Sequence, residues 1–368
     1  MVGFDEQRLL GAAAAHLGVE EPLETIVRAP FSALLQGLRE EAGLSQVGSW
    51  RAGARLMEAL GQRVALRKFA AETPAVAEVS IRAPIVITGM PRAGTYLLHN
   101  LLARMPGLWA PRLWELQRPI PPGRIDERWI DRQIRSTRTS IEQLFEASPD
   151  LRRLHPLSAT SPEACSWLLR TSFSTLDYAL RWRMPSYVEH LLDSSPRAAY
   201  REHKRLLQVL AYRHRYEHRG GDRVVLADPW HLCHLDELLE AYPDAWIVRI
   251  QTDRAQALES LARTCWALQR VDTKRPCSSA EIRSYCETLV DAALEGQQRG
   301  AAGLPSWRIV DVPYAKLCED PVAMVKQLGA YLRTPSSDAA VHDASLWLSD
   351  CGPLTRSTRT REAPSATA

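Results

Sequence analysis

The sequence predicts an α/β protein, a central parallel sheet flanked by helices and preceded by a helical N-terminal region. Four short runs rich in β-branched residues, each closed by Gly, Pro or Asp, read as buried strands: "APIVITG", "DRVVLADP", "DAWIVRIQTD" and "SWRIVDVPY". A segment of helical period follows each of them, at "TYLLHNLLARM", "HLDELLEAY", "RAQALESLARTCWALQ" and "DPVAMVKQLGAYLR". Alternation of this kind places parallel strands between layers of helix. A chain of 368 residues is long enough for one large core with a helical appendage.

Before the first strand, "RLLGAAAAHLG", "FSALLQGLREEAGL" and "SWRAGARLMEALGQRVALRKFAAE" carry apolar residues at i, i+3, i+4 spacing, with Gly18 and Gly43 at expected stops and Thr73-Pro74 closing the region. After the first βα unit, Pro-rich "QRPIPPGR" is a loop, and helices continue to about residue 220 with an interruption near "HPLSATSPEA". The resulting division is a helical region over 1–78, an α/β domain over 79–335 and an extension over 336–368. The Ser, Thr, Arg and Ala at the end of that extension predict disorder.

Charged residues at 24% and hydrophobic ones at 45% are ordinary for a globular protein, and a net charge of +3 gives no reason to expect nucleic acid. No apolar run approaches the ~18 residues of a membrane span. Asp5 and Glu6 stand where a secretory leader would carry cations. Seven cysteines without a CxxC pair suit a reducing compartment, so a cytoplasmic location is expected. The basic residues are 41 Arg against 5 Lys. That bias suits oxyanion recognition by guanidinium forks and equally follows from coding bias, so it decides nothing alone.

The most informative stretch is "IVITGMPRAGTYLLHNLL", residues 85 to 102. Backbone N–H groups at a helix N-terminus are unpaired and sit at the positive end of the dipole, so a Gly-containing turn feeding a helix makes an oxyanion cradle. Gly89 ends the strand, Gly94 permits close approach, Thr95 is expected to cap the helix, and Arg92 offers a fork. The spacing is neither GxxxxGK[ST] nor GxGxxG.

This stretch, with "APRLWEL" behind it, resembles the 5′-phosphosulfate loop of sulfotransferases that use 3′-phosphoadenosine 5′-phosphosulfate (PAPS). The likeness continues in order through "HPLSATSPEACSWLLRTSF", "PSYVEHLL", "AYREHKRLLQVL", "VVLADPWHLCHLDELLEAYPDAWIVRI", "ALESL" and "VPYAKLCEDPVAMVKQL", over roughly residues 80 to 335. It implies the P-loop-like sulfotransferase fold, with Arg92, Ala93, Gly94, Thr95 and Tyr96 around the 5′-phosphosulfate and Ser260 on the 3′-phosphate. Taken without the resemblance, Ser260 is a helix-surface serine.

Three departures fall where the chemistry would be. Ala93 and Tyr96 replace the usual Ser and Thr of the loop. Ala227, before Asp228-Pro229, stands where the family commonly has a Lys that neutralises the leaving phosphate, and loss of one such preorganised group typically costs ~100- to 1,000-fold in rate. Thr252 replaces the Arg that grips the 3′-phosphate, with Arg254 two residues on as a candidate substitute. Arg249, three residues away on a strand, is expected to point to the other face.

An acceptor hydroxyl needs a base. His155 in "HPL" and His231 in "PWHL" lie in matched blocks with Glu163 near in sequence; His155 is the preferred base, and His231 is read as orienting the acceptor or, when protonated, replacing the lost cation. Tyr314 is expected to pack near the nucleotide. His214 with His218, and His231 with Cys233 and His234, lack the partner spacing of a zinc motif, so no metal is expected. The leading expectation is sulfuryl transfer from PAPS to a hydroxyl of a small molecule, a lipid or secondary metabolite. Two alternatives stay open: acid–base chemistry such as dehydration or cyclisation in a cleft that no longer takes PAPS, and a non-catalytic binding relative.

Overall fold

The computed structural model describes residues 3–121, 126–216, 221–275, 277–300, 304–334 and 336–350. Its centre is a five-stranded, all-parallel sheet: β1 (Ile85–Gly89), β2 (Leu108–Trp109), β3 (Arg223–Ala227), β4 (Trp246–Gln251) and β5 (Ile309–Pro313), in the order β2-β3-β1-β4-β5. The four strands read from the sequence are present. The fifth, β2, is two residues long after Pro106-Gly107, too short to show a period of two.

β1 is buried throughout and sits between β3 and β4, with Ile87 opposite Ala227 on one side and Val248 on the other. Alternation along the strands sorts side chains to the two faces. Val86, Leu226 and Ile247 join a core that includes Leu34, Leu35, Leu56 and Leu60 of the N-terminal helices. Ile85, Ile87, Val225, Val248 and Ile250 pack against Leu98, Leu101, Leu317 and Leu328 of helices on the opposite side.

The N-terminal helices are Glu6–Leu17, Arg28–Glu40 and Gln46–Glu72, the first capped by Asp5 and the third by Ser45. Arg63 of the third, 3% exposed, ties them to the rest of the chain. It donates to the Thr171 carbonyl at 2.8 Å and pairs with Glu24 and Glu202 at 2.6 Å each, so a buried cation is fully compensated.

Two further helices complete the sheet's surroundings. Ser279–Gly300 packs along Arg254–Gln269, the helix leaving β4. Asp338–Asp350 lies where the sequence suggested only an extension, and its Trp347 sits over Arg104, 4.7 Å from guanidinium carbon to ring centre. The expected disorder of the chain's end concerns residues 351–368, which lie outside the described residues. No helix among the described residues is long and apolar enough to cross a membrane.

Candidate active site

The chain crosses from one side of β1 to the other at the strands' carboxyl ends, the position where open α/β sheets form a crevice. The turn after β1 lies there. Gly89 (φ 155°) lies so close to β4 that a Cβ would collide with the Ile250 carbonyl oxygen. Gly94 (φ 92°) is left-handed, and a Cβ on it would come 2.7 Å from the Tyr314 ring. Tyr314 therefore packs directly on the turn. Arg92 is also left-handed (φ 68°), which an L side chain rarely adopts.

The helix Thr95–Leu102 begins with Gly94, not Thr95, as its N-cap, and no side chain caps it. The expectation for Thr95 is corrected accordingly: the left-handed turn at Gly94 makes Thr95 the first helical residue, with its side chain buried. The first-turn N–H groups of Thr95, Tyr96 and Leu97 have no intrahelical acceptor. Ala93 is fully buried, and its N–H is used on the Met90 carbonyl at 3.1 Å.

Arg92 gathers the site. One terminal nitrogen donates to the Leu154 carbonyl, and its Nε lies 3.4 Å from Ser260 Oγ. Burial lowers its pKa, Tyr314 and Glu163 oppose that, and Arg263 adds to it. Leu154 precedes His155, so the first contact brings the base candidate to the turn. His155 Nε2 lies 3.5 Å from Glu163 Oε2, and its ring meets the edge of Tyr96 with centroids 5.7 Å apart. Glu163 is 4% exposed, and its other oxygen accepts from the Ala164 N–H at 2.8 Å. Burial pushes the Glu163 carboxyl up, but the charge and hydrogen bond of His155 and the Ala164 N–H outweigh it and hold it low. The arrangement is an imidazole, about a third exposed, held by a buried carboxylate.

On the 3′ side the helix Arg254–Gln269 brings Ser260 to Arg92. Thr252 Oγ1 lies 3.3 Å from Gln256 Oε1. Arg254 is committed elsewhere, with Nε and Nη2 both on Asp291 Oδ1 at 2.9 and 2.6 Å. Arg249 pairs with Asp311 across β4 and β5 at 2.6 Å. Ala227 is buried at the end of β3, and its carbonyl accepts from the Cys165 N–H at 3.0 Å. Sequence reasoning passed over Arg263, three residues beyond Ser260 on the same helix, which lies 3.8 Å from Glu259 of that helix. The i, i+3 spacing was the available signal.

His231 is a correction. It lies beneath the site, fully buried, in the 3-10 turn Pro229–His234. Its Nε2 is 2.9 Å from Cys165 Sγ and its Nδ1 is 2.8 Å from the Tyr200 hydroxyl. Burial, then His203 and His234, push its pKa well below the ordinary value, so it is neutral and does not replace the missing cation. His203 is held alike, with Nδ1 2.7 Å from the Tyr242 hydroxyl and its pKa lowered by burial to about 3. Ligand atoms of Cys165, His203 and His231 lie within 4.8 Å of one another, a grouping able to hold a metal that differs from the sets raised by the sequence. His214 stacks on Trp109, and His218 lies outside the described residues.

The sulfotransferase family model matches residues 84–338. Among solved structures, the chain is similar to sulfotransferase STF1 from Mycobacterium tuberculosis H37Rv, with a TM-score of 0.77 and 24% identity over 96% of each chain. It is also similar to sulfotransferase STF9 from Mycobacterium avium, with a TM-score of 0.77 and 19% identity over 99% of this chain and 91% of that one. At these identities the likeness is one of fold. No curated protein matches the sequence. A parallel sheet with a glycine-containing βα turn at its switch point, and a family match over most of the α/β region, lead to one assignment: the chain belongs to the sulfotransferase family.

Proposed function

We propose that the protein transfers a sulfuryl group from PAPS to a hydroxyl of a small molecule, a lipid or secondary metabolite. The observation that carries this reading is the double contact of Arg92, which reaches Ser260 on one side and the carbonyl beside His155 on the other. An oxyanion turn and a carboxylate-held imidazole thus share one crevice, the pairing that sulfuryl transfer to a hydroxyl requires.

The residues present fit the group they would hold. Gly94 lets Tyr314 pack on the turn, the first-turn amides of the helix and the Arg92 fork suit a 5′-phosphosulfate, and Ser260 suits a 3′-phosphate. In the reaction, the acceptor oxygen bonds to sulfur as the sulfur–oxygen bond to the 5′-phosphate breaks, and 3′-phosphoadenosine 5′-phosphate (PAP) leaves. His155 takes the hydroxyl proton. Glu163 keeps the imidazole oriented and stabilises the imidazolium that forms. With Ala227 in place of a Lys, neutralisation of the leaving phosphate falls to Arg92 and the helix N-terminus. Six free cysteines among the described residues suit a reducing cytoplasm as the place of reaction.

Calorimetric titration with PAP tests the reading. Micromolar binding that weakens by about tenfold or more in Arg92→Ala is expected, the size of one charge-assisted contact. No binding at millimolar PAP would overturn it.

A further inference from the structure

A second concentration of cations lies apart from the turn, in a small open pocket between the helix Gln46–Glu72 and the segment that runs on from Glu163. Arg55, Arg170 and Arg181 line it, with Ala59, Leu116, Trp167 and Tyr178 as apolar and aromatic wall. Arg170 and Arg181 are each 8% exposed.

The carboxylates facing these guanidiniums are too few. Asp177 accepts from Arg170 Nε at 2.8 Å and lies 3.9 Å from Arg181 Nε. Asp272 also faces Arg55 and Arg181, but it is shared with Arg51 at 3.4 Å and with the Trp182 N–H at 3.1 Å. Glu58 on the wall is paired with Arg118. Among the described residues, Arg51, Arg55, Arg170 and Arg181 thus share Asp177 and Asp272. The buried Nε of Arg55 and of Arg181 find no hydrogen-bond acceptor among the described residues. Burial and mutual repulsion lower the pKa of Arg55, and bring Arg181 to about 9, still cationic at neutral pH.

An uncompensated buried charge is costly, and a guanidinium fork matches a carboxylate or phosphate. Trp167, against which Arg170 stacks at 3.3 Å, lines the cavity and also packs in the cluster that contains Leu154 and Leu157, on either side of His155. The cavity wall and the segment that carries His155 therefore pack against one apolar cluster.

We propose that this cavity binds the acidic end, carboxylate or phosphate, of a small organic anion whose hydroxyl-bearing end is directed to His155. The binding stands on the cavity alone; its assignment to the acceptor rests on the sulfuryl-transfer reading.

Calorimetry with 4-hydroxyphenylacetate and phenyl phosphate, against the neutral 4-hydroxyphenylacetamide and phenol, tests the binding. The anions are expected to bind at least about tenfold more tightly than their neutral partners, the advantage of a charge-assisted contact. That preference disappears in Arg55→Met, a substitution that removes a cation whose buried Nε has no bond to lose. On the unmutated protein, the anions bind equally well with PAP present and in the Arg92→Ala variant. Absence of anion binding at millimolar concentration, equal affinity for acid and amide, displacement by PAP, or a preference unchanged in Arg55→Met would each overturn the proposal. PAP titration of the same samples separates the two readings. PAP binding without anion preference removes the cavity proposal, while anion preference without PAP binding removes the sulfuryl-transfer reading and leaves the cavity.

Discussion

His155 and His231 occupy two blocks of the same motif set, yet the fold gives them opposite characters. His155 follows the short helix Leu151–Leu154 at the rim of the crevice, partly exposed and facing a buried carboxylate. His231 lies fully buried between a thiol and a phenol, both neutral. The first has a partner for the charge it would gain and access to solvent. The second has both ring nitrogens engaged, and burial with the neighbouring His203 and His234 disfavours a positive charge on it. Residue type treated the two alike, and their surroundings set them apart.

The comparison breaks most visibly in turnover. His155→Ala is expected to lower PAPS-dependent turnover by ~100- to 10,000-fold while changing PAP affinity by no more than about twofold, as loss of a proton acceptor should. His231→Ala is expected to leave turnover per folded molecule nearly unchanged and to cost ~2–4 kcal/mol of stability, read from urea unfolding. Equal losses of kcat in the two variants, at matched folded fraction, would erase the distinction.

A smaller effect is expected from the carboxylate. Glu163→Gln keeps the shape but removes the charge, and turnover should fall by ~10- to 1,000-fold, less than for loss of the base. Glu163→Asp should recover part of it. If Glu163→Gln is fully active, His155 does not depend on this pair.

The smallest effect is in stability against pH. His99 and His203 are held neutral by burial, with pKa values of about 4 and about 3, and His231 lies well below its ordinary value. Below pH ~6.5 the unfolded chain takes up protons that these three refuse in the fold, so their contribution is complete above that pH and is lost as pH falls. Asp228 acts in the opposite sense. Burial raises it to about 7 against the Trp230 N–H that it accepts, so between pH ~4 and 7 the fold holds a proton that the unfolded chain has released. His234, also lowered by burial, acts with the three histidines, so the net effect is a loss of stability as pH falls from 6 to 5, and Asp228→Asn should steepen it. A flat profile from urea midpoints across that range would show that the buried histidines accept charge.

Much of this was legible in the chain. β-branched runs located four strands, because a strand buried on both faces must be continuously apolar. The turn, Arg92 and Ser260 followed from the motif order, and the fold brings the last two within 3.4 Å. The two-residue β2 left no periodic trace. Nothing in the local sequence tied Arg254 to Asp291, which arrives on the helix Ser279–Gly300 and meets it across 37 residues. Trp347, 6.5 Å from Tyr96 between ring centroids, arrives from a segment read only as an extension.

By itself the sequence determined the fold class and the glycine turn between the first strand and its helix, because apolar period and glycine placement act over a few residues and depend little on distant context. Tertiary structure alone decided which histidine is buried between neutral partners, which arginines are already paired, and where guanidiniums outnumber the carboxylates facing them. Those properties depend on desolvation and on charges brought from far along the chain, and local pattern carries neither.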